Sequence, residues 1–237
     1  MTKAVMPFTR AVAGVIFDMD GLLVDTERVY FDALLKAVRV VGCEMTAAFA
    51  YSMIGVPGKE CNAMIAAHYR PDFQIDAFNA AYDGIVMAVL ALGIPLRPGA
   101  RELVTYLTEE GVPQAIATSS RRPTVERYLG HVGLLEHFSA VVSREDVARP
   151  KPAPDPFLIA AERLGLAPAD CLALEDSYHG IAAAHAAGTM PIMVPDLLPV
   201  TDTVRAKCIA VVDDLHAVQV LLKGAREQVI AAPSANS

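Results

Sequence analysis

The chain has 237 residues, 54% of them hydrophobic and 20% charged, which is ample material for one large core or two modest ones and excludes disorder as the main state. Its 27 acidic against 20 basic residues give a formal charge of -7, and no Lys/Arg run stands against that balance, so nucleic acid is not an expected partner. The apolar stretch from Ile85 to Leu96 is too short for a membrane span and holds Gly93 and Pro95, so it reads as core helix and loop and no membrane partner is expected.

The apolar run after Arg10 ends in Asp18 and Asp20 without a small-residue cleavage site, which gives secretion no support. Cys43, Cys61, Cys171 and Cys208 lie far apart with no C-x-x-C pair. They read as buried thiols of a reducing compartment, the cytoplasm by default.

Six short apolar runs predict strands in chain order: Ala11 to Phe17, Val112 to Ala117, Ala140 to Val142, Cys171 to Leu174, Pro191 to Val194 and Ala210 to Val212. Helical patterns separate most of them. Gly99 and Gly111 bracket one containing Leu103, Val104 and Leu107, and Asp155 with Pro156 opens another that Gly165 closes. Strand and helix alternate as in an α/β fold with a Rossmann-like parallel sheet covered on both faces. Between Thr26 and Pro95 that rhythm stops: Phe31, Leu34, Leu35, Val38 and Val41 keep helical spacing up to Gly42, and about 70 residues are too many for a loop. The expected organisation is therefore an α/β core formed by residues 1–25 and 96–237, with an α-helical cap inserted at 26–95. Two linkers would let the cap hinge as a unit, with Asp25 and Thr26 capping its first helix or supporting the hinge. The tail from Ala231 to Ser237 reads as frayed.

Four stations along the chain offer chemistry. The first strand ends in Phe17-Asp18-Met19-Asp20-Gly21, two carboxylates where an α/β sheet opens its ligand crevice. Turn formation beside Gly21 is the plainer alternative. The second strand ends in Ala117-Thr118-Ser119-Ser120, hydroxyls that suit either an anion or a helix cap. After the third comes Arg149-Pro150-Lys151-Pro152-Ala153-Pro154-Asp155, in which prolines fix the path around one lysine, and the fourth ends in Leu174-Glu175-Asp176-Ser177 with Gly180 soon after. Asp18, Asp20, Glu175 and Asp176 brought to about 4 Å would repel by roughly 4 kcal/mol per pair at an effective dielectric near 20. A cation is the natural remedy. An all-oxygen set without His or Cys favours a hard ion, Mg2+ first because it keeps waters and shares phosphate oxygens. His179 reads as a helix-start residue, His185 as surface, and the nine methionines as core filler.

In this order, Asp18-x-Asp20-Gly21, Thr118, Lys151 in a K-P-x-P-D setting and Glu175-Asp176-Ser177 with Gly180 resemble the haloacid dehalogenase superfamily. The stretch from Phe17 to Glu27 and the helical insert look like its branch of phosphoglycolate phosphatases, sugar-phosphate phosphatases and β-phosphoglucomutases. The resemblance implies a Mg2+-dependent phosphatase acting on a small phosphorylated metabolite through an aspartyl phosphate. Asp18 would be the nucleophile and Asp20 the acid and base. Thr118 and Lys151 would hold the phosphoryl oxygens. Asp18, the Asp20 backbone carbonyl and Asp176 would bind the metal, with Glu175 bound directly or through water. Asp20 disfavours the dehalogenase and phosphonatase activities of the superfamily, which lack an acid there.

A phosphomutase is the main alternative. β-Phosphoglucomutases carry a Lys and an Arg at the places held here by Ile54 and Gly58, but Lys59, Ser119, Ser120, Arg121 and Arg122 could grip a second phosphate. A non-enzymatic receiver domain with a phosphorylated Asp fits poorly, because its acidic pair precedes the acceptor by a strand and it has no inserted cap. No G-x-G-x-x-G or G-x-x-x-x-G-K-[ST] motif supports nucleotide binding. Cap closure would exclude water and restrict substrates to small soluble esters. Which ester, and the oligomeric state, are not readable from one chain.

Overall fold

The computed structural model describes residues 8, 10–53, 56, 58–69 and 72–231, with only the backbone described for 58, 59 and 227–231. Strand β1 (Gly14–Phe17) is followed by four helices, α1 (Thr26–Val40), α2 (Ala47–Tyr51), α3 (Gly58–His68) and α4 (Ile75–Leu92). The chain then runs α5 (Ala100–Glu109), β2 (Gln114–Ala117), α6 (Arg122–His131), β3 (Ala140–Val142), α7 (Asp155–Leu164), β4 (Cys171–Glu175), α8 (Tyr178–Ala186), β5 (Met190–Met193), α9 (Asp202–Arg205), β6 (Ala210–Val211) and α10 (Leu215–Ala231). It divides into two compact units, Met1–Val24 with Pro95–Ser237 and Asp25–Ile94.

The first unit is an α/β fold whose six strands pair in parallel in the order β3-β2-β1-β4-β5-β6. Strands β1, β2, β4 and β5 are buried at every residue, which is why they read as unbroken apolar runs instead of alternating ones. On one face Ile16, Ala115, Ala117 and Ala173 form a core with Phe157, Ala160 and Ala161 of α7 and Ala183 and Ala184 of α8. Alanines on the strands leave room for Phe157, and burying such a side chain contributes about 1.5–3 kcal/mol. Val15, Phe17, Ile116, Leu172 and Leu174 alternate with these residues and so point to the other face, where Phe17 meets Phe138 edge-on at 5.7 Å.

Strands β1 and β2 begin later than the apolar runs imply, at Gly14 and Gln114, because those runs start in the preceding connections. The chain leaves and re-enters this unit side by side: Val24 and Leu96 form an antiparallel bridge, and Arg97 N donates to Leu23 O at 2.9 Å. Arg97 also donates through Nη1 to Asp196 at 2.7 Å in the loop after β5.

In the second unit, α1 packs along α4. Ala37, Val38, Met53, Ile65 and Phe78 form its core, bordered by Tyr69, Phe73 and Tyr82. Asp25 stands at the N-cap of α1 without a capping bond from its side chain, and it lies 3.7 Å from the Arg28 guanidinium. Thr26 is fully buried and its hydroxyl has no hydrogen-bond partner among the described residues.

Helix α4 corrects the core-helix reading of its apolar stretch. By length and composition it is apolar enough to cross a membrane, with a mean hydropathy of 1.5, and Phe78 and Val86 are the only residues of the helix that are buried. The residues Ile54, Gly55 and Pro57 and the side chain of Lys59, which bear on a second phosphate, lie outside the described residues, as does the tail beyond Ala231. All four cysteines are free thiols and only Cys171 is fully buried. Burial pushes Cys171 and Cys208 up to about 11, which leaves them poor nucleophiles at neutral pH.

Candidate active site

The strand order changes direction between β1 and β4, and an α/β sheet opens its crevice at the carboxyl ends flanking such a point. Asp18 follows β1 directly, its N–H donating to Leu174 O at 3.0 Å, and Glu175 ends β4. Gly21 takes φ 80° in the turn after Asp20, a conformation that glycine adopts without strain, and its N–H donates to Val24 O at 2.9 Å. Thr118 follows β2, its N–H donating to Val142 O at 3.0 Å. The Lys151 loop connects β3 to α7 and is held by a two-pronged pair from Arg149 to Asp155, at 3.1 and 3.0 Å.

These loops bring Lys151 between two acids. Its Nζ donates to Asp18 Oδ1 and, at 2.5 Å, to Glu175 Oε1, and the side chains are 5%, 9% and 0% exposed. Glu175 Oε2 accepts from Ser177 Oγ at 3.0 Å and from Ser177 N at 3.3 Å. Burial pushes the Asp18 carboxyl up; Lys151 opposes the shift, while Glu175 and Asp20 add to it. Burial alone would lower Lys151, but Asp18 and Glu175 outweigh it and hold the ammonium above its usual range.

Asp18, Glu175 and Asp176 each offer an oxygen, all within 4.8 Å of one another. At that distance two carboxylates repel by about 3 kcal/mol at an effective dielectric near 20, and Lys151 brings a compensating charge to Asp18 and Glu175. An all-oxygen set with excess negative charge fits a hard divalent ion such as Mg2+.

The carboxylate of Asp20 has other partners. Its Oδ2 accepts from Ser120 Oγ at 2.7 Å and, more weakly, from Thr118 Oγ1 at 3.4 Å. Thr118 Oγ1 accepts in turn from Ser120 N at 3.0 Å. Ser119 is exposed. Arg121, at the N-cap of α6, is 82% exposed and 4.0 Å from Glu145. His179 and His185 are exposed.

The sequence reading missed one cluster. Asp146 accepts from Ser143 N at 2.8 Å, Ser143 Oγ at 2.5 Å, Arg122 Nη2 at 2.9 Å and Arg163 Nη2 at 2.6 Å. Partial burial works against its charge, but Ser143, Arg163 and Arg122 hold the carboxyl well below the usual range. The spacing Ser143-x-x-Asp146 is the legible signal, a capping pair in which side chain and backbone satisfy each other.

The haloacid dehalogenase-like hydrolase family model matches residues 15–194. The chain belongs to that family and is an enzyme. It is 37% identical over 184 residues to the bifunctional riboflavin kinase/FMN phosphatase of Arabidopsis thaliana, covering 77% of this chain and 48%, about half, of that protein. It is 32% identical over 176 residues to a fructose-1-phosphate phosphatase of Escherichia coli, covering 74% of this chain and 93% of the other. Among solved structures, a HAD family hydrolase from Deinococcus radiodurans with bound phosphate and sodium superposes with a TM-score of 0.77 at 26% identity, covering 93% of this chain and 98% of that one.

Proposed function

We propose that the chain is a Mg2+-dependent phosphoric monoester hydrolase acting on a small phosphorylated metabolite, of sugar-phosphate or phosphoglycolate type, through an aspartyl phosphate on Asp18. The observation that carries this reading is the buried Asp18 beside Lys151 at the mouth of the sheet, with two further carboxylates within 4.8 Å. Relatives named for FMN and fructose 1-phosphate support a compact, soluble ester over a protein substrate.

In this reading an Asp18 oxygen attacks phosphorus, the ester P–O bond breaks, and Asp20 delivers a proton to the departing oxygen. Asp20 then takes a proton from the incoming water, the Asp18–phosphorus bond breaks, and phosphate leaves with the Asp18 carboxylate restored. Lys151 and Thr118 hold phosphoryl oxygens, so placement and charge neutralisation do most of the work. Asp18, the Asp20 carbonyl and Asp176 would hold Mg2+, which when bound neutralises phosphoryl charge. Glu175 has both oxygens occupied, by Lys151 and by Ser177, which favours contact with the metal through water over direct ligation.

The test is a phosphate-release screen over sugar phosphates, phosphoglycolate and nucleotides with and without Mg2+, coupled to an assay for isomerisation of β-glucose 1-phosphate. Release that depends on Mg2+ and is abolished in Asp18→Asn is the expected result. Rapid isomerisation with little free phosphate would replace hydrolase with phosphomutase, and an active Asp18→Asn would remove Asp18 as nucleophile.

A further inference from the structure

Ser120 stands on the loop between β2 and α6, half-buried, and its hydroxyl donates to Asp20 Oδ2 at 2.7 Å. That is a short bond to a carboxylate, the stronger class of hydrogen bond, whereas Thr118 reaches the same oxygen at 3.4 Å. The Asp20 backbone is already set by its bridge to Val24. The rotation of the side chain is a separate matter, and the Ser120 hydroxyl restrains it directly.

Ser120 is itself held by the turn after β3. Its carbonyl accepts from Arg144 N at 2.9 Å, and the next residue but one is tied to the same turn, Arg122 N donating to Glu145 Oε2 at 3.1 Å. The Arg122 guanidinium donates to Val141 O at 3.0 Å and to Asp146 at 2.9 Å. Asp146 is gripped from its other side by Arg163 at 2.6 Å. The hydroxyl facing Asp20 is thus fixed through two loops of the sheet.

We propose that Ser120 is a positioning residue for Asp20: it holds the carboxylate in the rotamer from which the proton reaches the leaving oxygen, and it does so without holding the substrate phosphate. The proposal rests on the acid role given to Asp20 above. A group that works only through the acid matters where the leaving group needs a proton. An alkoxide needs one; p-nitrophenolate leaves without it. A serine that instead bound phosphate would matter equally for both esters.

The experiment measures kcat/KM, which reports the steps up to alcohol release, for the full chain with p-nitrophenyl phosphate and with the alkyl phosphate hydrolysed fastest in the screen above. In Ser120→Ala the alkyl ester is expected to lose about tenfold or more in kcat/KM with KM changed less than about twofold, while the aryl ester changes by less than about twofold. Ser120→Thr, which keeps the hydroxyl, is expected to recover most of the loss, and Ser120→Cys, a weaker donor, to fall between. The Cys variant supplies the same comparison should the Ala variant fold poorly.

Equal losses for both esters with a raised KM would overturn the proposal in favour of phosphate binding. Unchanged kinetics in Ser120→Ala would overturn it outright. Asp18→Asn run in parallel separates the two failures: if it is dead while Ser120→Ala shows no leaving-group selectivity, only this proposal falls; if it remains active, the hydrolase reading falls. A wild-type chain that hydrolyses neither ester removes both.

Discussion

A β-carbon at Gly180 would lie 1.9 Å from the carboxylate of Glu175, so the first turn of α8 passes the buried acid only with hydrogen at that position. The carboxylate cannot step aside, since Lys151 holds one oxygen and Ser177 the other. Alanine normally stabilises a helix interior by about 1 kcal/mol over glycine. Here Gly180→Ala is expected to reverse that sign and destabilise by about 2 kcal/mol, the scale of overpacking, with activity falling as Glu175 and Lys151 shift. A urea denaturation double-mutant cycle with Glu175→Ala checks it: removing the carboxylate should cancel most of the alanine penalty, and simple additivity would show that the clash is not its source.

Asp146 gives a pH dependence whose sign follows from its partners. Ser143, Arg163 and Arg122 keep its folded-state carboxyl below the usual range against the opposing effect of burial. Its contribution to stability is therefore fully present above the unfolded value near 3.8 and is lost as pH falls through the folded one. Asp146→Asn is expected to cost about 2 kcal/mol at pH 7, the scale of hydrogen bonds to charged groups. The difference between wild type and variant in urea midpoint should shrink steadily below about pH 4. A gap that stays constant down to pH 2 would mean that the interaction does not depend on charge.

The parallel sheet was legible because strands buried on both faces read as apolar runs, and the topology then carries the residue after each run to the crevice side. Asp18, Thr118 and Glu175 follow from that rule alone. Strand starts were less legible: Ala11 to Ala13 and Val112 to Pro113 are as apolar as the strands they precede, and only pairing partners mark where each ladder begins. Composition also could not tell that α4 keeps most of its apolar length outside the core, because periodicity shows which residues can be buried and not what arrives to cover them. Side-chain partners were the least accessible. The Ser120 hydroxyl facing Asp20 across 100 positions of chain, and the two arginines closing on Asp146, depend on how loops cross after folding and leave no local pattern beyond Ser143-x-x-Asp146.

Lys151 is the sole cation bonded to Asp18 and Glu175 among the described residues, and its side chain is 5% exposed. Lys151→Met keeps much of the volume and leaves two buried carboxylates facing each other, an arrangement that costs about 3–5 kcal/mol when one partner of a buried pair is removed. The expected result is a loss of about 3 kcal/mol by urea denaturation and at least a thousandfold fall in phosphate release. Lys151→Arg should restore little of either, because a planar guanidinium cannot occupy the space of a compact ammonium held between two acids beside the Phe157 ring, 5.3 Å away. Recovery of activity in the arginine variant would show that charge alone, without this geometry, is enough.

Asp176 allows a prediction in which two rankings cross. With no divalent ion, Asp18, Glu175 and Asp176 lie within 4.8 Å of one another beside one ammonium, so removing one negative charge relieves repulsion. Asp176→Asn in chelator-treated protein is therefore expected to melt at the same temperature as wild type or higher. With Mg2+ the order should invert: an ion bound only by the folded state stabilises by about 2.7 kcal/mol at a hundredfold excess over its Kd, and the variant, having lost a charged ligand, should gain less than half the upward shift seen in wild type. Differential scanning fluorimetry of both proteins in EDTA and across a Mg2+ titration reads the crossing directly. Equal Mg2+ shifts in the two proteins would place the ion elsewhere, and a variant that melts far below wild type in EDTA would mean that the contacts Asp176 makes in the fold outweigh the relief of charge.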